Sequence, residues 1–210
     1  PGAPVFHSFM PGIMHPRTGA YMATALEGTL LYPIGVEMAQ HWGLPTLAGV
    51  FATDGQFPGW HTAGDAESSL MLCALAGAET GAGLGLVESC KLLYPEELIL
   101  DSDIYHRIRM EAAGIDTSRE ALALDVIKAV GPRSHYLGQR HTRDNMRKRV
   151  LSDVANQSSP SGGMRDPIEV AREKAEWILN NHHPQALEPN QQKELTRILA
   201  GADQEIGGRE

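Results

Sequence analysis

The sequence predicts an α/β fold in which parallel strands are joined by helical crossovers. Residues 46–60, TLAGVFATDGQFPGW, open with an apolar run of buried-strand length, in which Leu47, Val50, Phe51 and Ala52 stand among small residues. The run breaks at Thr53-Asp54-Gly55, passes Gln56, Phe57, Pro58 and Trp60, and leads to a helix that stays apolar to Gly77. Comparable steps on either side give strand-helix-strand-helix-strand up to Glu88. That order requires parallel pairing with helical crossovers. In such folds the chemistry sits on loops at the carboxyl ends of strands. A loop carrying a carboxylate, an amide and two aromatics there is a candidate site. The alternative reading is a packed turn whose aromatics roof the core.

Taken in order, residues 5–9 read as the first strand, bounded by Pro4 and by Pro11-Gly12. A polar loop with His15, Arg17, Thr18 and Gly19 follows. Leu26, Leu30, Ile34, Met38 and Trp42 recur every fourth residue, the apolar stripe of a helix. Pro33 lies within it, so a kink or break is expected near Ile34. Gly43-Leu44-Pro45 ends the helix. After the central loop, Asp65 is expected to cap the next helix, with Glu67 in its first turn. Residues 78–87, with glycines at 81, 83 and 85, read as a small-residue strand in a crowded sheet rather than a phosphate loop, because their spacing is not the dinucleotide fingerprint.

The remainder reads as helical. Pro95-Glu96-Glu97 starts a helix running to about Ala113, and Thr117 with Glu120 forms a capping box for a helix that Gly131-Pro132 stops. His135-Tyr136-Leu137 reads as strand or turn, and residues 141–153 as a basic helix. Residues 156–163, NQSSPSGG, have linker composition. Asp166 caps a helix with Pro167 at its first position, and a last helix spans about residues 189–200.

Composition narrows the function. At 42% hydrophobic, 210 residues can bury one sizeable core. The 18 basic and 26 acidic residues give a net charge of −8, which argues against a phosphate-binding surface and hence against nucleic acid. Two cysteines, Cys73 and Cys90, build no disulfide framework and suit a reducing cytoplasm. No apolar run approaches the roughly 18 residues of a membrane span. The chain begins without Met and its first residues already read as strand, so it is expected to be the carboxy-terminal piece of a longer one.

Nine histidines raise a metal site, with His7, His61, His135 and His141 near predicted strand ends. However, no HxxxH or HExxH pair is present, and the expectation is no metal. No serine sits in a G-x-S-x-G elbow. The central loop suits a cation better. A quaternary ammonium offers no N–H, so ring faces (Phe57, Trp60) with a carboxylate (Asp54) and an amide (Gln56) make its natural receptor, and Glu88 and Tyr94 could complete the cage.

Pro1-Gly-Ala-Pro-Val, Arg17-Thr-Gly-Ala, His41-Trp-Gly-Leu-Pro, Leu124-Asp-Val-Ile with Val130-Gly-Pro, and His135-Tyr-Leu-Gly with His141-Thr occur in order along nearly the whole chain. Together they resemble the trimethylamine methyltransferase family, which includes the quaternary-amine methyltransferases. The resemblance implies the carboxy-terminal part of a (β/α)8 barrel over residues 1–155, a linker at 156–165 and additional C-terminal helices at 166–210. It implies methyl transfer from an amine to the cobalt of a separate corrinoid protein; the corrinoid (cobalamin) is carried by that partner and none is bound directly. A cytoplasmic enzyme, homo-oligomeric when full length, is expected.

The family's trimethylamine enzymes carry pyrrolysine at or near the position of Gln56. Its absence favours the branch resembling glycine betaine methyltransferases. In that reading Gln56 lines the catalytic pocket, while Asp54, Phe57 and Trp60 hold the ammonium. His135 orients the substrate carboxylate or meets the corrinoid partner, and Arg17 takes the carboxylate. A trimethylamine enzyme, a zinc-dependent methyltransferase and a non-catalytic binding fragment stay open as alternatives.

Overall fold

A computed structural model of the chain describes residues 2–148 and 152–207. Two compact units divide it, Pro1–Glu176 and Trp177–Glu210. Strand β1 (His7–Phe9) is followed by the short hairpin β2 (Ile13–Met14) and β3 (Tyr21–Met22), then by helix α1 (Leu26–Trp42). Strand β4 (Thr46–Val50), helix α2 (Trp60–Ala76) and strand β5 (Thr80–Ala82) complete the layer. The sheet order is β1-β4-β5, parallel throughout, with His7 opposite Thr46 and Leu47 opposite Thr80. Among the described residues this sheet has three strands and does not close into a barrel; the α/β layer with crossover helices is as expected. No described helix is long and apolar enough to cross a membrane.

Helix α1 departs from expectation twice. It runs through Pro33 without the break that was one of the two expected outcomes there. The lost hydrogen bond and ring clash cost about 3 kcal/mol in a free helix. Here, packing of both halves against the sheet offsets that cost. The buried face is also not the expected one. Gly28, Thr29, Tyr32, Gly35, Val36 and Ala39 face the sheet, whereas Leu26, Leu30, Ile34, Met38 and Trp42 are all exposed. Small residues let the helix axis approach closely: a side chain at Gly35 would collide with the Phe9 ring. Gly43 closes the helix in the left-handed region, donating to Gln40 O.

Helix α2 begins at Trp60, five residues before the expected cap. Thr62 is the local reason: its hydroxyl donates to Gly59 O and accepts from Gly59 N–H, at 2.9 and 3.0 Å. Asp65 therefore lies inside the helix. The expected single strand over residues 78–87 is divided. Its first part is β5; its second is β6 (Leu86–Val87), antiparallel to β7 (Leu92–Leu93). The crowding is as expected, since a Cβ at Gly81 would stand 2.5 Å from Leu70 Cδ2 and one at Gly83 would stand 2.9 Å from Ala52 N.

Helix α3 (Pro95–Ala112) starts at its proline and packs on α2. The expected helix after Thr117 is two pieces, α4 (Arg119–Leu122) and α5 (Leu124–Val130), because Ala123 between them adopts φ +49°. Its cap is Ser118, whose Oγ accepts from Ala121 N–H, and not Thr117. Residues 135–137 are not a strand: Gln139 N–H donates to Tyr136 O, a turn over residues 136–139. The basic helix is α6 (Arg140–Arg147); part of its expected span, residues 149–151, lies outside the described residues. Within the span expected as linker, Ser158 and Met164 form an isolated antiparallel bridge. Helices α7 (Pro167–Asn181) and α8 (Pro189–Gly207) follow, α8 extending beyond its expected end.

The core of the first unit has two clusters. Tyr32, Val36, Ala48, Ala52 and Cys73 fill the space between α1, α2 and the sheet. Phe51, Ala66, Leu70 and Ile108 join α2 to α3. Both lie against β4 and the residues just after it, so the segment that follows β4 is anchored on two sides.

Candidate functional site at the carboxyl end of β4

Beyond Val50 the chain continues alongside β5 and β6: Phe51 N–H donates to Ala82 O and Thr53 N–H to Leu86 O, at 2.8 and 3.1 Å. The next residues grip the β6–β7 turn. Ser89 N–H donates to Thr53 O and Glu88 N–H to Gly55 O, at 2.9 and 2.8 Å. Asp54 ties a third segment to these two. Its Oδ1 accepts from Ala23 N–H at 2.7 Å and from the Ser89 hydroxyl at 2.6 Å, and its Oδ2 accepts from Thr24 N–H at 3.0 Å. In return, Asp54 N–H donates to Thr24 Oγ1, which itself donates to Asp65 Oδ2 at 2.9 Å. Burial raises the Asp65 carboxyl above its ordinary range, against its hydrogen bond from Thr24 and the nearby His61.

Glu88, Ser89 and Cys90 are consecutive non-glycine residues at φ +47°, +53° and +72°. Each costs on the order of 1–2 kcal/mol in the left-handed region. Such strain persists only where surrounding bonds over-determine it, and the Asp54 and Thr53 contacts do so here. Tyr21 and Cys90 face the same carboxylate. Both are pushed up, first by burial; for Tyr21 the Cys90 and Asp54 charges add, for Cys90 that of Asp54. The Tyr32 hydroxyl donates to Ala23 O at 2.7 Å beneath this junction.

The structure separates the residues singled out in the sequence. Asp54, Gln56, Phe57, Glu88 and Tyr94 are joined through the loop and hairpin. Gln56 is exposed, Phe57 is 67% exposed, and the Phe57 and Tyr94 rings meet edge-on at 6.5 Å. Glu88 Oε1 lies 3.4 Å from Lys91 Nζ. Trp60, 86% exposed, stands edge-on to His61 at 5.4 Å and lines a different cleft, shared with α3. Arg17 lies in the exposed turn between β2 and β3, and among the described residues its guanidinium has no ion-pair partner. His135 is exposed in the connector between α5 and α6. The four histidines near predicted strand ends are dispersed over β1, α2, that connector and α6. Among the described residues no three His, Cys, Asp or Glu side chains are grouped to hold a metal.

Sequence reasoning missed Thr24 and Ser89, which carry no local signal. It also missed Glu97 and Asp101, which are 1% and 0% exposed. Asp101 Oδ2 accepts from Gly85 N–H at 2.7 Å, and burial pushes its carboxyl up to about 8. Burial also raises Glu97, which hydrogen-bonds Thr62. Here a signal existed: Glu97 and Asp101 share one helical stripe with Ile104 and Ile108.

A family model described as trimethylamine methyltransferase (MTTB) matches residues 1–207. Trimethylamine methyltransferase MttB of Methanosarcina barkeri is 27% identical over 99% of this chain and 43% of its own length. MttB of Desulfitobacterium hafniense (strain DSM 10664 / DCB-2) is 26% identical, covering 98% and 42% respectively. The glycine betaine methyltransferase of Desulfitobacterium hafniense (strain Y51) is 25% identical over 99% of the chain and 44% of that protein. The chain thus spans less than half the length of these curated relatives. With the matched model covering almost every residue, the chain belongs to the trimethylamine methyltransferase family.

Proposed function

We propose that this chain supplies the carboxy-terminal part of a (β/α)8 barrel to a methyltransferase that demethylates a betaine-like quaternary amine. The acceptor in this reading is the cobalt of a separate corrinoid protein. The observation that carries it is position 56. Glutamine stands exposed near the tethered Asp54, at the carboxyl end of a parallel strand, and the family resemblance puts the pyrrolysine of the trimethylamine enzymes at or within a residue or two of it. A glutamine amide forms no adduct with an amine, so the site depends on the substrate's permanent charge. The exposure of Gln56 and Phe57 fits a face open to a large partner.

The bound corrinoid would supply the nucleophile that takes the methyl group. The chain's own residues would bind, orient and exclude water. The Phe57 and Tyr94 rings offer negatively polarised faces to the ammonium. The groups that donate to Asp54, two backbone N–H and the Ser89 hydroxyl, are neutral, and among the described residues no ion pair involves it. Glu88 adds a carboxylate on the hairpin beside this loop, whereas Trp60 lines a different cleft and does not join the cage. Arg17 would take a substrate carboxylate as a bidentate fork, and His135 would orient that carboxylate or meet the partner. The C–N bond breaks with its electron pair staying on nitrogen, and the neutral amine leaves. No acid, base or covalent nucleophile is needed.

The names of several similar relatives favour trimethylamine as the second reading. Turnover separates the two. With a reduced corrinoid acceptor, glycine betaine should be demethylated and trimethylamine little or not at all. Efficient transfer from trimethylamine by a protein with Gln56 would overturn the assignment.

A further inference from the structure

We infer that the cleft between the first turn of α2 and the first half of α3 is a docking socket for an arginine side chain of a partner protein, received by the Glu97 carboxylate and the Trp60 ring. The cleft measures about 300 Å³, and Leu100 and Ile104 are among its apolar walls. Glu97, Asp103 and Asp166 also line it, and none of the described lining residues is basic. An acidic wall alone would only mark a solvated surface. Glu97 differs, because it is 1% exposed and its Oε2 has no hydrogen-bond partner among the described residues. A buried acceptor left without a donor costs free energy, and an occupant must bring an N–H or O–H group to remove that cost. Burial disfavours the ionised form of this carboxyl and raises it, so a donor that is also a cation is favoured over a neutral one.

The chemistry of the walls selects the donor. A guanidinium is more weakly hydrated than an ammonium, so it loses less on entering an apolar cleft, and its methylene stem suits the same walls. Its planar fork carries N–H groups for Oε2, while its face can stack on an indole. The exposed Asp166 and the half-buried Asp103 add charge of the right sign. The occupant is a side chain on a partner rather than a free molecule, because the cleft does not enclose its contents. Trp60, part of its wall, is 86% exposed, whereas small-ligand sites cover most of the ligand's surface. Tryptophan and arginine are also enriched among the anchors of protein interfaces. This socket is separate from the Asp54 loop, and Phe57 and Tyr94 do not line it. It goes beyond the proposed function.

Trp60 also provides the readout. In purified protein carrying Trp42→Phe and Trp177→Phe, both at exposed positions, Trp60 is the sole indole. A capped peptide with one central arginine should change its fluorescence saturably. The same peptide with citrulline, which keeps N–H groups but not the charge, should bind at least about tenfold more weakly. Glu97→Gln keeps the shape and removes the charge, and Ala63→Leu fills the cleft while keeping the carboxylate. Each should raise the Kd for the arginine peptide at least about tenfold. Phe57→Ala, which alters only the Asp54 loop, should leave this Kd unchanged. No saturable change, equal binding of the citrulline peptide, or an unchanged Kd in both cleft variants would overturn the socket and leave the loop reading standing. Tighter binding of methylguanidinium than of the peptide would mark a site for a free ligand and overturn the partner reading. Sedimentation should show the same state for the wild type and Glu97→Gln; self-association lost in Glu97→Gln would give the cleft to a second copy of this chain and overturn it equally.

Discussion

Replacing Asp54 by Asn tests whether this carboxylate organises the loops at the carboxyl end of β4. Asp54 accepts three hydrogen bonds, from Ala23 N–H, Thr24 N–H and the Ser89 hydroxyl. Bonds to a charged acceptor contribute roughly 1.5–3 kcal/mol each. An asparagine keeps one acceptor oxygen and turns an NH2 group toward at least one N–H or O–H donor. The expected loss is therefore about 2–4 kcal/mol, read as a lower urea midpoint at unchanged m-value. Ser89→Ala removes one of the three bonds and should cost about 1.5 kcal/mol, near the lower end because the pair is only partly buried. Asp54→Ala, which removes both acceptor oxygens, breaks the same bond as Ser89→Ala, and a double-mutant cycle of these two should return a coupling of about 1 kcal/mol or more. Backbone strain adds an independent arm. Ser89 has φ +53°, so Ser89→Gly should be about 1 kcal/mol more stable than Ser89→Ala. Coupling below about 0.5 kcal/mol, with Ala and Gly equivalent at position 89, would refute the claim that Asp54 holds a strained turn.

Two further outcomes follow from buried groups. Burial pushes the Asp101 carboxyl up to about 8, so between its unfolded value near 3.8 and about 8 the folded state holds a proton that the unfolded state has released. Stability should thus fall as pH rises from about 4 to 8, and Asp101→Asn, whose amide oxygen can still accept from Gly85 N–H, should flatten that slope in urea titrations at several pH values. Equal slopes in both proteins would show that another group controls the pH dependence. At Gly83 (φ +92°), a methyl group would meet backbone Ala52 N at 2.9 Å, so Gly83→Ala should destabilise by at least about 2 kcal/mol; a neutral result in thermal unfolding would count against the close approach of β5 to the β4 extension.

What was legible in the sequence was whatever local chemistry decides. Helix α3 begins at Pro95 and α7 at Pro167, because a proline at the first position loses no helical hydrogen bond. Helix α1 ends at Gly43 because glycine enters the left-handed region without cost. The alternation of strands and helices up to residue 88 likewise came from local runs, and it led to the parallel sheet. Which face of α1 is buried was not local. The helix is apolar on most sides, and the sheet selects the face that carries Gly35, where any side chain would collide with the Phe9 ring. The role of Asp54 was illegible for the same reason: its partners stand 30, 31 and 35 residues away, in segments that nothing nearby in the chain marks. Glu97 and Asp101 resemble the solvated acids of a helix start. Only the packing of α3 on α2 puts them out of water, and there an unpartnered carboxylate oxygen becomes chemistry that composition and spacing do not contain.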